Sequence, residues 1–406
     1  MQFEAAGFRP RLPPGASPRH GRPPPGRKIV MGLTSNNVVI MAVVAALLLF
    51  TATIWLWPRL AGRGVTAVVG RVGMLAATQV AVFAAFGLFA NQSFGFYGSW
   101  ADLFGAENEM GVVVDHDTPG GRVKVTESRK LNVSGGSSPE TGGRIDKVTF
   151  RGQVSRIASP AYVYLPPEYF QPRYSERRFP AALVLTGYPG TTEALINGLK
   201  YPQKSQKLVK EGRMQPTILV MMRPTVAPPR DTECMDVPGG PQTETFFTED
   251  VPKAVSEHYR AGTQARSWGV IGNSTGGYCA LKMAMRHPDA FSTAVGLSPY
   301  YKAPIDPTTG DLFGGSRQLE RENDLMWRLG HKPAPPVSLL VSSSERGEKN
   351  YRATMRFVAK VQDLNRRGEP IRISSMILGT GGHNFNTWKR EVSPALEWMS
   401  TRLHAD

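Results

Sequence analysis

Two long uninterrupted apolar runs stand near the start of the chain, and much shorter ones punctuate the rest. Residues 38–57 hold twenty positions without a charge, enough for an α-helix to cross the hydrocarbon layer of a bilayer. Trp55 and Trp57 close that run, where indole rings favour the interface with water. Residues 72–90 are a second uncharged run with the polar Gln79 inside it. From residue 145 the pattern changes to short aliphatic or β-branched runs alternating with longer segments of helical period. It predicts strands at 148–154, 161–165, 181–185, 217–222, 268–271, 293–297, 337–341 and 371–377, with helices at 250–259 and 275–286. The central runs are apolar throughout rather than at every second position. That is the signature of strands buried on both faces, in an α/β fold whose sheet is mostly parallel. The expected organisation is a basic tail over 1–36, a two-helix transmembrane hairpin over 37–91, a juxtamembrane segment and linker over 92–144, and a catalytic-sized domain over 145–406.

Charge sharpens the membrane reading. The 406 residues carry a net +15, which could indicate a nucleic-acid partner. But nine basic side chains and a single acid, Glu4, fall within residues 1–71, around the apolar runs, where basic residues set membrane orientation. The expected partner is therefore a membrane and not nucleic acid. The linker between the runs holds Arg59, Arg63 and Arg71 and no acid, whereas Asp102, Glu107 and Glu109 follow the second run. The positive-inside bias then puts the linker in the cytoplasm and the large domain outside the cell membrane. The basic segment 1–30 conflicts with that topology, and a start at Met31 would remove it. Two cysteines exclude a cysteine-based zinc framework or iron–sulfur cluster, and no cofactor or metal is expected. Cys234 and Cys279 either pair outside the membrane or stay as a free thiol and a small buried residue.

The chemistry centres on Gly272-Asn273-Ser274-Thr275-Gly276, which follows the apolar run at 268–271 and opens a helix. A sharp strand-to-helix turn needs very small residues two positions either side of the serine, whose hydroxyl then stands above the strand ends. Ser274 is the candidate nucleophile. It needs a base to take its proton, and His383, in a Gly-rich loop after the last predicted strand, is the candidate. An acid is expected just past a strand between them. Glu345 is the first acid after 337–341, with Glu348 a close rival and Asp363 a distant one. The developing oxyanion needs fixed N–H donors. The backbone amides of Thr275 and of Tyr188, in the loop after the strand 181–185, are the candidates. Residues 301–336, between two strands, are the candidate lid.

The segments 163–169, 245–252, 287–291 and 382–388, together with the serine turn, resemble the putative-esterase family of α/β-hydrolases, which includes esterase-D-like enzymes, enterochelin esterases and mycobacterial mycolyltransferases. The similarity spans about residues 145–400 and its motifs come in the family's order. It implies an α/β-hydrolase fold and a Ser274–Glu–His383 triad with oxyanion donors at Tyr188 and Thr275. It further implies ester chemistry through an acyl-enzyme, on a small-molecule or lipid ester, ending in hydrolysis or acyl transfer. The chain carries Thr186 and Pro189 where the mycolyltransferases hold trehalose with Asp and Arg. The alternative is a non-catalytic envelope-binding protein on the same fold.

Overall fold

The computed structural model describes residues 35–94, 122–131, 136, 138–226, 228 and 230–405. The basic segment 1–30, the start at Met31 and most of the juxtamembrane stretch lie outside the described residues. Two helices form the N-terminal hairpin, α1 (Asn36–Leu56) and α2 (Val65–Phe94). Ser35 opens α1, its hydroxyl accepting from the Val38 amide at 3.4 Å, an ordinary N-cap. A helix on a water-soluble domain buries one apolar stripe. These two instead expose apolar side chains all round, with Leu48 66 % and Phe83 75 % exposed. Both are long and apolar enough to cross a membrane. They are clasped by the Thr53 and Thr78 hydroxyls, 2.9 Å apart in a buried pair, and the Gln92 amide donates to the Asn36 side-chain carbonyl. α2 begins ahead of its uncharged run, so Arg71 belongs to the helix and not to the linker. Arginine is a good helix former, and its guanidinium reaches back to the Gly62 carbonyl at 3.4 Å.

The remaining chain builds a nine-stranded sheet in the order β1-β2-β3-β5-β4-β6-β7-β8-β9. The strands are β1 (Val123–Lys130), β2 (Arg144–Arg151), β3 (Ala158–Leu165), β4 (Ala181–Leu185), β5 (Ile218–Met222), β6 (Trp268–Asn273), β7 (Thr293–Leu297), β8 (Ser338–Arg346) and β9 (Arg372–Thr380). β1 to β3 join antiparallel, β3 meets β5 antiparallel, and β4 to β9 are mutually parallel where they pair. β4 to β7 are buried at every position except within their flanking loops, as continuous apolar runs require when helices cover both faces. The 92–144 segment is not all linker. β1 comes from inside it and pairs along β2, so the sheet starts about twenty residues before the expected boundary at 145. β1 was hidden because its outer positions are nearly all exposed and its Lys, Glu and Arg side chains read as linker; charged side chains are how edge strands avoid pairing with other chains.

Helices fill the two faces. On one lie α4 (Val251–His258), α5 (Thr275–Arg286) and α8 (Tyr351–Arg366), which contribute Val251, Ala254, Leu281, Phe357 and Val361 to one apolar core. On the other lie α3 (Tyr201–Lys210) and α9 (Phe385–Ser400), which contribute Tyr201, Leu208, Trp388, Val392 and Leu396 to a second. Short helices α6 (Arg317–Glu322) and α7 (Leu325–His331) occupy the 301–336 segment. That segment is fastened to the body of the domain rather than poised above it. Leu325 and Leu329 are buried in the first core, the Tyr278 hydroxyl on α5 donates to the Asn323 carbonyl at 2.7 Å, and Arg328 reaches the Met285 carbonyl at 3.3 Å.

Candidate active site

Ser274 sits at the turn between β6 and α5, at φ 55° and ψ −120°, a conformation that costs an ordinary side chain free energy and persists where its surroundings enforce it. The enforcement is steric. A methyl group placed on Gly272 would lie 2.3 Å from the Gly276 carbonyl carbon, and one on Gly276 would lie 2.3 Å from the Thr186 carbonyl oxygen. Only hydrogen fits at either position. The Ser274 amide donates to the Leu297 carbonyl at 2.9 Å, and its own carbonyl accepts from Tyr278 at 3.0 Å. Backbone from β7 and α5 thus holds the residue from both sides. The loop after β4 also crosses the serine, since a methyl on Gly187 would come within 3.0 Å of Ser274 Cβ. Tyr188 is the next residue of that loop and Thr275 is the first residue of α5.

His383 Nε2 lies 2.8 Å from Ser274 Oγ, across 109 residues of chain. The loop that delivers it is built around two side chains. Asn384 caps α9, accepting from the Asn386 and Thr387 amides at 3.0 and 3.2 Å, and the Thr387 hydroxyl takes the Gly382 amide at 3.0 Å. The imidazole stands edge-on to the Trp388 ring, 5.2 Å between centroids at 85°. Its side chain is 46 % exposed, and its Nδ1 faces Glu348 Oε2 at 3.6 Å.

The carboxylate that faces the imidazole is therefore that of Glu348 and not that of Glu345. β8 runs on past 341 to Arg346, so Glu345 belongs to the exposed end of that strand. Gly347 then turns the chain at φ +98°, where a methyl would strike the Gly381 carbonyl oxygen at 2.1 Å. The turn carries Glu348 inward to the imidazole, with its side chain only 1 % exposed. Asp363, the third candidate, is engaged on α8 by Arg366 and Arg367 at 3.5 and 2.6 Å. Ser298, which sequence reasoning did not single out, holds Glu348 and is itself held by Trp388 and Ser342. The Ser298 hydroxyl donates to Glu348 Oε1 at 2.7 Å and accepts from the Trp388 indole at 3.0 Å. The Ser298 amide is held by the Ser342 hydroxyl at 3.1 Å. Ser298 itself has a left-handed φ of 48° just past β7, a conformation no residue-type pattern advertised. Behind them Glu391 of α9 is fully buried. Burial raises its carboxyl to about 8, and the Glu348 charge adds to the rise against a hydrogen bond from Ser342.

Helix α5, which starts at the sharp serine turn, or elbow, and is therefore the elbow helix, is anchored at its far side. Cys279 forms a disulfide with Cys234, which settles the open choice between paired and free thiols. One turn further, Lys282 Nζ donates to the Glu233 and Cys234 carbonyls, both at 2.8 Å, and faces Glu244 at 3.6 Å. Burial lowers Lys282 to about 8 despite that carboxylate. In the same loop, burial and the nearby Asp231 raise Glu233 to about 8, while the Tyr300 hydroxyl donates to it at 2.6 Å. No cluster able to hold a metal ion occurs among the described residues.

The family model described as "Putative esterase" matches residues 158–399. The chain belongs to that esterase family. Both halves of the Ser274–His383 pair lie inside the matched stretch. The fold is the α/β-hydrolase fold. A structure of an S-formylglutathione hydrolase from Agrobacterium tumefaciens superposes with a TM-score of 0.53 at 16 % identity, covering 65 % of this chain and 97 % of that one. A ferulic acid esterase superposes with a TM-score of 0.52 at 17 % identity, covering 64 % and 98 %. An uncharacterised protein of Corynebacterium glutamicum is 22 % identical over 262 residues, which is 60 % of this chain and 58 % of the relative. The chain thus spans a little over half the length of that curated relative.

Proposed function

We propose that the protein is a membrane-anchored serine esterase that works through a Ser274–His383–Glu348 triad. The contact that carries the reading is the 2.8 Å approach of His383 Nε2 to Ser274 Oγ, within the reach a general base needs. In this reading Ser274 Oγ gives its proton to His383 Nε2 and bonds to the ester carbonyl carbon. The carbonyl oxygen takes up negative charge between the Thr275 and Tyr188 amides. Collapse breaks the bond to the alcohol, which leaves with the proton from His383. Water then attacks the acyl-enzyme by the same steps in reverse and regenerates the serine. Glu348 holds the imidazole in the tautomer that exposes a bare Nε2 and stabilises its charged form.

Several features support hydrolysis at an extracytoplasmic site. The half-exposed imidazole leaves solvent access to the acyl-enzyme, which favours water over a sugar or lipid alcohol as acceptor. A buried disulfide fits an oxidising compartment, as does the orientation that Arg59, Arg63 and Arg71 favour. The similarity to an S-formylglutathione hydrolase and a ferulic acid esterase supports small esters or thioesters as a starting panel. The test is a fluorophosphonate probe on the folded protein, followed by an acyl-chain-length series of aryl esters with and without an acceptor sugar. Labelling that maps to Ser274 and vanishes in Ser274→Ala is expected, with turnover that the acceptor leaves unchanged. Absence of label in folded protein would leave a binding module, and acceptor-dependent turnover would make the enzyme a transferase.

A further inference from the structure

We propose that Lys200, Lys204, Lys207 and Lys389 form an anion-binding surface beside the His383 loop, and that its occupant is the phosphate headgroup layer of the membrane that α1 and α2 enter. The first three lysines follow one another at spacings of four and three, which puts them on a single face of α3 and its leading residue. Lys389 joins them from α9, since the half-buried Lys204 Nζ donates to the Lys389 carbonyl at 2.6 Å. The cluster borders the active site. Lys389 follows His383 by six residues in the first turns of α9, and a methyl on Gly198, two residues before Lys200, would touch the Phe385 ring at 3.2 Å.

The cations are poorly compensated. Lys200 and Lys389 are exposed and make no ion pair among the described residues. Lys207 meets Glu211 only at 3.7 Å, with its own side chain 74 % exposed, a pairing of little strength in water. Glu397, eight residues beyond Lys389 on α9, is taken by Arg213 at 2.6 Å. Burial lowers the Lys204 pKa, and the charges of Lys389, Lys200 and Lys207 lower it further. A compact cluster of like charges is relieved by a multivalent anionic surface. The membrane is the source at hand, because α9 touches α2 and the hairpin keeps the domain within a tether's length of the headgroups. Each lysine near an anionic bilayer strengthens attachment about fivefold. Seated this way, the domain would present the Ser274 cleft at the bilayer surface, so the esterase reading, on which this last step rests, acquires a lipid-borne ester as its substrate.

The experiment uses the full chain reconstituted in vesicles of phosphatidylglycerol with phosphatidylcholine, or of phosphatidylcholine alone. A brief pulse of a soluble amine-acylating reagent is followed by peptide mass spectrometry. Lys200, Lys204 and Lys389 should label several-fold more slowly in the anionic vesicles and recover in high salt, while exposed Lys253 on α4 labels alike in both. Equal labelling in the two vesicles would overturn the proposal. So would protection by inorganic phosphate in neutral vesicles, which would point to a free anion. In anionic vesicles, Lys200→Gln/Lys204→Gln/Lys389→Gln should lower the ratio of membrane-dissolved to water-soluble ester turnover about a hundredfold, by the same fivefold for each of three charges removed. The milder Lys204→Gln should lower it about fivefold, which guards against misfolding of the triple variant. An unchanged ratio would overturn the proposal. If neither ester is turned over by the wild type, the esterase reading fails, and the labelling still decides the surface.

Discussion

Ser274 and Glu348 stand at opposite ends of the same chain of contacts, but they are held by different means. At Ser274 the backbone does the positioning. Two glycines leave no room for any other residue, and amide and carbonyl groups of β7 and α5 grip the serine directly. At Glu348 side chains do it. The carboxylate reaches His383 only because Gly347 turns the chain inward and because Ser298, Trp388 and Ser342, from three other elements, converge behind it. A backbone-held group depends on its local sequence. A side-chain-held group depends on partners that lie far away in the sequence.

Substitutions can test that contrast. Ser274→Ala should remove essentially all turnover, a loss of about 10⁶-fold, with the melting temperature unchanged; residual ester cleavage in the purified variant would show another nucleophile at work. Next in size, Glu348→Gln should lower kcat about 10⁴-fold by favouring the wrong imidazole tautomer. Glu345→Gln should change it less than twofold, and the reverse ranking in a steady-state assay would restore Glu345. Removing the disulfide with Cys234→Ala/Cys279→Ala should cost about 4 kcal/mol for a 45-residue closure on the chain-entropy account. That is measurable by chemical denaturation, and a loss under 1 kcal/mol would mean the Lys282 contacts anchor the elbow helix alone. Ser298→Ala should lower kcat about tenfold, the size of losing one hydrogen bond to a charged group, with KM little changed.

The last test concerns pH. Glu391 has a carboxyl raised from 4.5 to about 8 in the folded state. The folded protein therefore holds a proton that the unfolded chain releases between those values, and stability falls as pH rises through that window. Glu391→Gln should flatten that fall and raise the melting temperature at pH 8 above that of the wild type, by about 2–4 °C for each kcal/mol of proton linkage removed. Identical thermal profiles from pH 5 to pH 8 for variant and wild type would show that Glu391 is not held neutral.

What the sequence by itself determined is the part written in local pattern. The runs at 181–185 and 293–297 and the helix at 275–286 appear in the structure with the boundaries read from their apolar period. The turn at Ser274 was legible because its requirement, hydrogen-sized neighbours two residues away on each side, is itself local. The placement of His383, in a loop after the last strand and within reach of Ser274, was legible too. Strand β1 was not, because an edge strand that faces water carries charged residues like those of a linker. Nor was the acid. Which of two glutamates three residues apart turns toward the imidazole depends on how far β8 extends and on the left-handed turn at Gly347. The outcome is decided by side chains from the residue after β7, from β8 and from α9 that meet only when the sheet is assembled. A contact between distant parts of the chain leaves no trace in the periodicity of either part, and so only the tertiary structure could choose Glu348.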